Sequence, residues 1–224
     1  MVKKKGSALL MVFVDVDTEH DAAFNTWYNR EHVGDLLSLP GILSGARYQA
    51  VLGGPRYLAC YELESPEALQ SPEYLAFRQN PSEGTRSAGP SAVGRNYVRN
   101  VYTQIYPQEL DPHSLGRVMA PALQIGRMDV PLEIEARYNE YYDTVRTPGN
   151  LEVPGVIAVR RYHAVAGDPR YLTVYELEHE KVPESPAWRD RQREDNMHQF
   201  IGGRYRHAPG SPGVYRRIYP SRAF

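Results

Sequence analysis

The chain carries the same pattern twice. Aligning Arg47-Tyr48 on Arg161-Tyr162 sets an offset of 114 residues. That offset also superposes Asp15-Val16 on Asp129-Val130, Tyr28 on Tyr142 and Pro40-Gly41 on Pro154-Gly155. It lays Pro55-Arg56-Tyr57-Leu58 on Pro169-Arg170-Tyr171-Leu172 and Tyr61-Glu62-Leu63-Glu64 on Tyr175-Glu176-Leu177-Glu178. Near the ends it slips by one, so that Ile105-Tyr106-Pro107 meets Ile218-Tyr219-Pro220. A period above about 100 residues is too long for a solenoid unit and indicates two homologous domains. They are expected at 1–110 and 118–224, joined by a Pro- and Gly-containing linker over 107–121.

Each unit reads in the same order. Leu9 to Val16 is an apolar strand, and Asp17 or Thr18 can cap the helix that follows, from about Glu19 to about Glu31. A short helical turn through Leu36 and Leu37 stops at Pro40-Gly41. Two strands, Gly45 to Val51 and Arg56 to Glu64, form a hairpin across Gly53-Gly54-Pro55. A second helix is expected around Pro66 to Gln79 and a last strand over Tyr97 to Tyr106. The order is β-α-β-β-α-β, the ferredoxin-like arrangement. Both alternating sets of the first strand are apolar, Leu10/Val12/Val14/Val16 and Leu9/Met11/Phe13, which fits cover on both faces. Helices cover one face. The other is expected to meet the sheet of the second unit, giving an α+β fold of two ferredoxin-like repeats packed sheet to sheet as a closed barrel with helices outside.

The residues Trp27-Tyr28-Asn29-Arg30-Glu31-His32-Val33, Leu39-Pro40-Gly41, Arg47-Tyr48 and Tyr57-Leu58-Ala59-Cys60-Tyr61-Glu62 resemble the dimeric α-β barrel superfamily, and within it the EthD-like proteins. The resemblance covers nearly the whole chain, twice, as a tandem form of what is usually a homodimer of single units. It implies an intrachain dimeric α-β barrel. The superfamily holds monooxygenases, polyketide cyclases, muconolactone isomerases and haem-handling enzymes, so the fold does not supply the reaction.

The chemistry centres on His32, four residues after Tyr28 and on the same face of a continuous helix. A histidine beside a phenol can move a proton to or from a carbon acid, and Arg47 or Arg86 could neutralise the anion that forms. The expected catalytic set is therefore His32, Tyr28 and Arg47. Trp27, Asn29, Tyr48, Tyr61, Arg86, Tyr97 and Tyr102 are expected to bind a small hydrophobic or aromatic ligand. The alternative for His32 is a helix-terminal residue bonded to the last carbonyls. At the 114 offset Trp27, Asn29 and His32 become Tyr141, Asp143 and Arg146, so the histidine is lost, either because one half keeps a site or because two scaffolds have drifted. The expected function is a cofactor-free cyclase, isomerase or monooxygenase acting on an aromatic, polyketide-like or lactone substrate. The alternative is a binding protein without a reaction.

Composition narrows the classes. Seventeen Tyr against 5 Phe is unusual for a core built only for burial, because each buried phenol needs a partner for its hydroxyl. Twenty-six Lys and Arg balance 27 Asp and Glu, so no global basic field points to nucleic acid or an anionic membrane. Lys3-Lys4-Lys5 is the one basic run, expected to be a solvated tail. No apolar run approaches the roughly 18 residues of a membrane span, and a cytoplasmic protein is expected. The single cysteine, Cys60, reads as a buried strand residue. No Gly-rich phosphate loop and no clustered histidines stand out, so no nucleotide, metal or haem cofactor is expected. Any homodimer of the chain is expected to use helices or strand edges.

Overall fold

The computed structural model describes residues 6–108 and 119–221. The run Lys3-Lys4-Lys5 and the middle of the 107–121 linker lie outside the described residues. Strand β1 (Ala8–Val16) leads into α1 (Thr18–Trp27), a π-helical turn (Tyr28–His32) and α2 (Val33–Leu37). The hairpin β2 (Ile42–Leu52) and β3 (Tyr57–Leu63) follows, then a 3-10 turn (Pro66–Gln70) and α3 (Pro72–Gln79). The short helices α4 (Glu83–Ala88) and α5 (Pro90–Val93) precede β4 (Gly94–Tyr106). In the second half β5 (Ala122–Asp129) is followed by α6 (Glu135–Tyr141), a second π-helical turn (Tyr142–Arg146) and α7 (Thr147–Leu151). The hairpin β6 (Val156–Ala166) and β7 (Tyr171–Leu177) comes next, then α8 (Pro186–Glu194), α9 (Met197–Phe200), the two-residue β8 (Arg206–His207) and β9 (Gly213–Tyr219).

The strands do not form two sheets packed face to face, and the expectation of two ferredoxin-like repeats packed sheet to sheet is overturned. They run β7-β6-β4-β1-β3-β2-β9-β5, with β7 paired back to β5, so eight strands close into one antiparallel barrel and β8 hangs on β5. The halves meet along two hydrogen-bonded seams, β4 with β6 and β2 with β9. A bare strand edge presents unpaired N–H and C=O groups, and closing the barrel satisfies them. The seam strands are long, 13 residues in β4 and 11 in β2, and bulge at Val101/Tyr102 and Ala50/Leu52, which lets them bend around the barrel.

Closure explains why β1 is apolar on both sides. Val12 and Val14 pack outward against Phe24, Trp27 and Tyr28 of the covering helix. Leu9, Met11 and Phe13 point into the barrel, where they meet Leu123, Ile125, Tyr162 and Tyr215 of the second half. The interior is not wholly apolar. Arg160 bonds Glu62 near one end, and the guanidinium of Arg127 lies 4.2 Å from the Phe13 ring near the other. The Arg-Tyr pairs split across the sheet as alternation requires: Arg47 faces the helices, Tyr48 the interior.

Candidate functional site

Between the outer face of the first half-barrel and its helices lies a cavity of about 260 Å³, walled by Trp27, Tyr28, His32, Tyr61, Tyr97 and residues of α3. It takes its shape from the π-helical turn. Val33 donates its N–H to the Tyr28 carbonyl, five residues back, rather than continuing the i to i−4 ladder expected from a single helix through Glu31. The wider turn sets Tyr28 and His32 edge to face, with ring centroids 4.9 Å apart and planes at 88°. Trp27 covers His32 at 4.5 Å and Phe77 lies at 5.9 Å on its far side. His32 is therefore held among three aromatic rings and does not serve as a helix cap.

This box decides the protonation state of His32. Burial, helped by the cations of Arg47 and Arg78, lowers its pKa to about 4, so the imidazole is neutral at pH 7. Its Nδ1 is buried with no hydrogen-bond partner, as is Nε1 of Trp27. The Tyr61 hydroxyl is also buried, with the Tyr28 hydroxyl as its neighbour. Burial raises Tyr28 to about 12 against the opposing pull of Arg47, so the phenol stays protonated and able to donate.

Arg47 sits behind this wall. It is 1% exposed, donates to Asn29 Oδ1 at 2.5 Å and to Asn25 Oδ1 at 2.8 Å, and lies 4.3 Å from the Tyr28 ring centre. Its fork is filled by the two asparagines, so the expected contact of Arg47 with a reacting anion gives way to a role in holding Tyr28 and α1. Asn29 is likewise committed to Arg47. Tyr48 and Tyr102 point into the barrel: Tyr48 donates to the Ala120 carbonyl at 3.0 Å, and the Tyr102 hydroxyl accepts from Asn100. Arg86 is exposed and bonds the Pro81 carbonyl. The structure thus gathers Trp27, Tyr28, His32, Tyr61 and Tyr97 around the cavity, with Arg47 and Asn29 behind it, and places Tyr48, Tyr102 and Arg86 elsewhere.

The helix α3 supplies what the sequence reading missed. Tyr74, Phe77 and Arg78 all line the cavity, and Arg99 reaches in from β4 to donate to the Tyr74 hydroxyl at 2.8 Å. Their signal was available as i, i+3, i+4 spacing in Tyr74, Phe77 and Arg78.

The equivalent position in the second half has other chemistry. A cavity of about 300 Å³ there is walled by Tyr142, Arg146, Tyr175, Trp188, Gln192 and His207. Arg146 replaces the imidazole, and its charge is paired with Asp195, which also accepts from Tyr141. His207 also lines this second cavity, and its Nδ1 is buried without a hydrogen-bond partner. Among the described residues no group of three or more His, Cys, Asp or Glu is placed to hold a metal ion.

A family model described as Domain of unknown function (DUF4286) matches residues 7–105, the half that holds the His32 cavity. No curated protein matches the chain. Solved structures do. An anthrone oxidase-like protein is 12% identical with a TM-score of 0.61, over 98% of this chain and 94% of that one. Chlorite dismutase from Candidatus Nitrospira defluvii, in complex with imidazole, is 11% identical with a TM-score of 0.58, over 96% and 92%. A candidate monooxygenase from Lactobacillus acidophilus NCFM is 6% identical with a TM-score of 0.52, over 94% and 93%. The fold is that of the chlorite dismutase-like α-β barrels. No described helix is long and apolar enough to cross a membrane.

Proposed function

We propose that the chain is an enzyme that works without a bound cofactor on a small aromatic or polyketide-like substrate in the His32 cavity. The observation that carries this reading is the free Nδ1 of a neutral imidazole, buried inside an aromatic box. His32 takes a proton from an activated carbon acid or phenol of the substrate. Tyr28 donates its hydroxyl hydrogen bond to the oxygen on which charge develops, with Arg47 behind its ring holding it in place. Trp27, Tyr61 and Phe77 supply flat apolar walls for a ring, and Arg78 at the rim favours an anionic product. The likeness to an anthrone oxidase-like protein and to a candidate monooxygenase supports this substrate class. So does the EthD-like resemblance, with the chain read as a tandem of two units over 1–110 and 118–224.

The test is turnover of anthrone-type and related phenolic carbon acids by the wild-type chain and by His32→Ala. Turnover that falls at least about a hundredfold in the variant supports the role of His32. Unchanged turnover removes it.

The second reading is a carrier that holds a metabolite without changing it. The low basicity of His32 favours it, because a base with a pKa of about 4 abstracts protons only from acidic substrates. Mass spectrometry of ligand carried through purification distinguishes the two, since a carrier returns the ligand unchanged after incubation.

A further inference from the structure

A third cavity, at about 640 Å³ larger than the two beside the helices, opens at one end of the barrel. Its walls are the β2–β3 turn at Gly53-Gly54-Pro55, the start of β4 at Asn96 to Val98, and the loop at Pro209-Gly210. Gly54 N–H bonds the Gly210 carbonyl at 3.1 Å, so the two loops from opposite halves are tied together. Arg127 forms the floor.

The charge balance at that floor is unusual. Arg127 is 3% exposed, and among the described residues no carboxylate pairs with it. Its Nη2 donates to the neutral carbonyls of Pro209 at 2.9 Å and Gly54 at 3.5 Å, and its guanidinium stacks on Phe13 at 4.2 Å. The other charges on the wall are already engaged. Asp15 accepts from the Arg56 N–H at 2.6 Å and from the Asn96 side-chain amide at 2.8 Å. Arg56 pairs outward with Asp21 at 3.1 Å. A buried cation held only by carbonyls and a ring face is incompletely compensated, and a planar guanidinium fork is matched by a carboxylate. Ala50, Pro55, Val98, Pro209 and the ring of the 45% exposed Tyr97 add apolar surface above it.

We propose that this barrel-end cavity is a second ligand site, which takes an aromatic carboxylate with its acid group on Arg127 and its ring against Tyr97 and the prolines. The site lies on the barrel axis and shares only Tyr97 with the His32 cavity. It draws on both halves of the chain, Gly54 from one and Arg127 and Pro209 from the other, so it exists only when the barrel is closed.

The probe is 2-naphthoate, titrated into the full chain while the amide signals of Gly53, Gly54 and Gly210 are followed by NMR. These signals are expected to shift and saturate. The uncharged 2-naphthamide, of the same shape, is expected to bind at least about tenfold more weakly, the ratio carried by one charge-assisted hydrogen bond. Arg127→Met is expected to weaken naphthoate by a similar factor and leave the amide unaffected. Equal affinity for acid and amide, undiminished naphthoate binding by the variant, or shifts confined to residues around Trp27 and His32 would overturn the proposal, as would no binding. Should Arg127→Met fail to fold, the comparison of acid and amide on the unaltered chain decides alone.

Discussion

Arg160 in the second half grips Glu62 in the first across the barrel interior, with Nη2 2.6 Å from Oε1 and Nη1 3.2 Å from Oε2, and it reaches Glu176 at 2.8 Å as well. Glu62 and Glu176 stand 114 residues apart, at corresponding positions, and one arginine serves both. Breaking such a buried pair leaves Glu62 without the arginine that neutralises it. Arg160→Met is expected to lower stability by about 3–5 kcal/mol in denaturant unfolding. Adding Glu62→Gln to it should recover part of that loss, because one uncompensated charge is removed.

The depressed pKa of His32 carries a stability prediction with a definite sign. Between about pH 4, where folded His32 takes up its proton, and 6.5, the ordinary histidine value, the unfolded chain binds a proton that the folded chain does not. The contribution is fully present above pH 6.5 and is lost as pH falls through this window, by up to about 3 kcal/mol. The stability advantage of wild type over His32→Gln should therefore shrink steadily between pH 7 and pH 4. An imidazole titration by NMR with a midpoint near 6.5 would contradict the aromatic box as the cause.

Gly45 lies in β2 directly against the Tyr61 ring, and a Cβ added there would stand 2.6 Å from Tyr61 Cδ1. Tyr61 is fully buried and cannot swing into solvent. Gly45→Ala should push the ring into the His32 cavity, cost roughly 1–3 kcal/mol and weaken any aromatic ligand bound there. Thermal unfolding together with ligand titration checks both effects.

Arg47→Lys keeps the charge but loses the fork that spans Asn25 and Asn29. Two amide oxygens then compete for one ammonium, and the flat group stacked on Tyr28 is gone. A destabilisation of about 2 kcal/mol is expected in denaturant melts. The near-ultraviolet circular dichroism of the tyrosines should change with it.

Much of the local structure was legible because it is written in apolar periodicity and turn residues. The two-sided apolar pattern of β1 corresponds to its burial against helices on one face and barrel interior on the other. Gly53, with a φ of +73°, sits in the turn where a positive value was needed. How the barrel closes was not legible, because whether β2 and β4 pair edge to edge with β9 and β6 or lie face to face with them depends on backbone groups that every residue shares. The π-helical turn was invisible for a related reason: Tyr28 to His32 contains no residue that forbids an α-helix. The short helices α4 and α5 were not foreseen, since Pro81, Gly84, Gly89 and Pro90 interrupt any helical periodicity there. Tyr28 and His32 were named from their spacing of four along one helix, and both line the same cavity. Tyr48 and Tyr102 were misplaced because a tyrosine on a strand buried on both faces can point either way, and only the register decides which.

Phe13 and Arg127 occupy corresponding positions in the two halves, 114 residues apart, yet one is a ring and the other a cation laid upon it. Ala46 and Arg160 differ in the same way. A barrel assembled from two first halves would lack both arginines and leave two glutamates facing each other. One assembled from two second halves would confront two Arg127 guanidiniums at one end of its interior. The halves behave like a plug and its socket, so charge selects an unlike pair of halves, and only the tether favours the partner on the same chain over one on another chain.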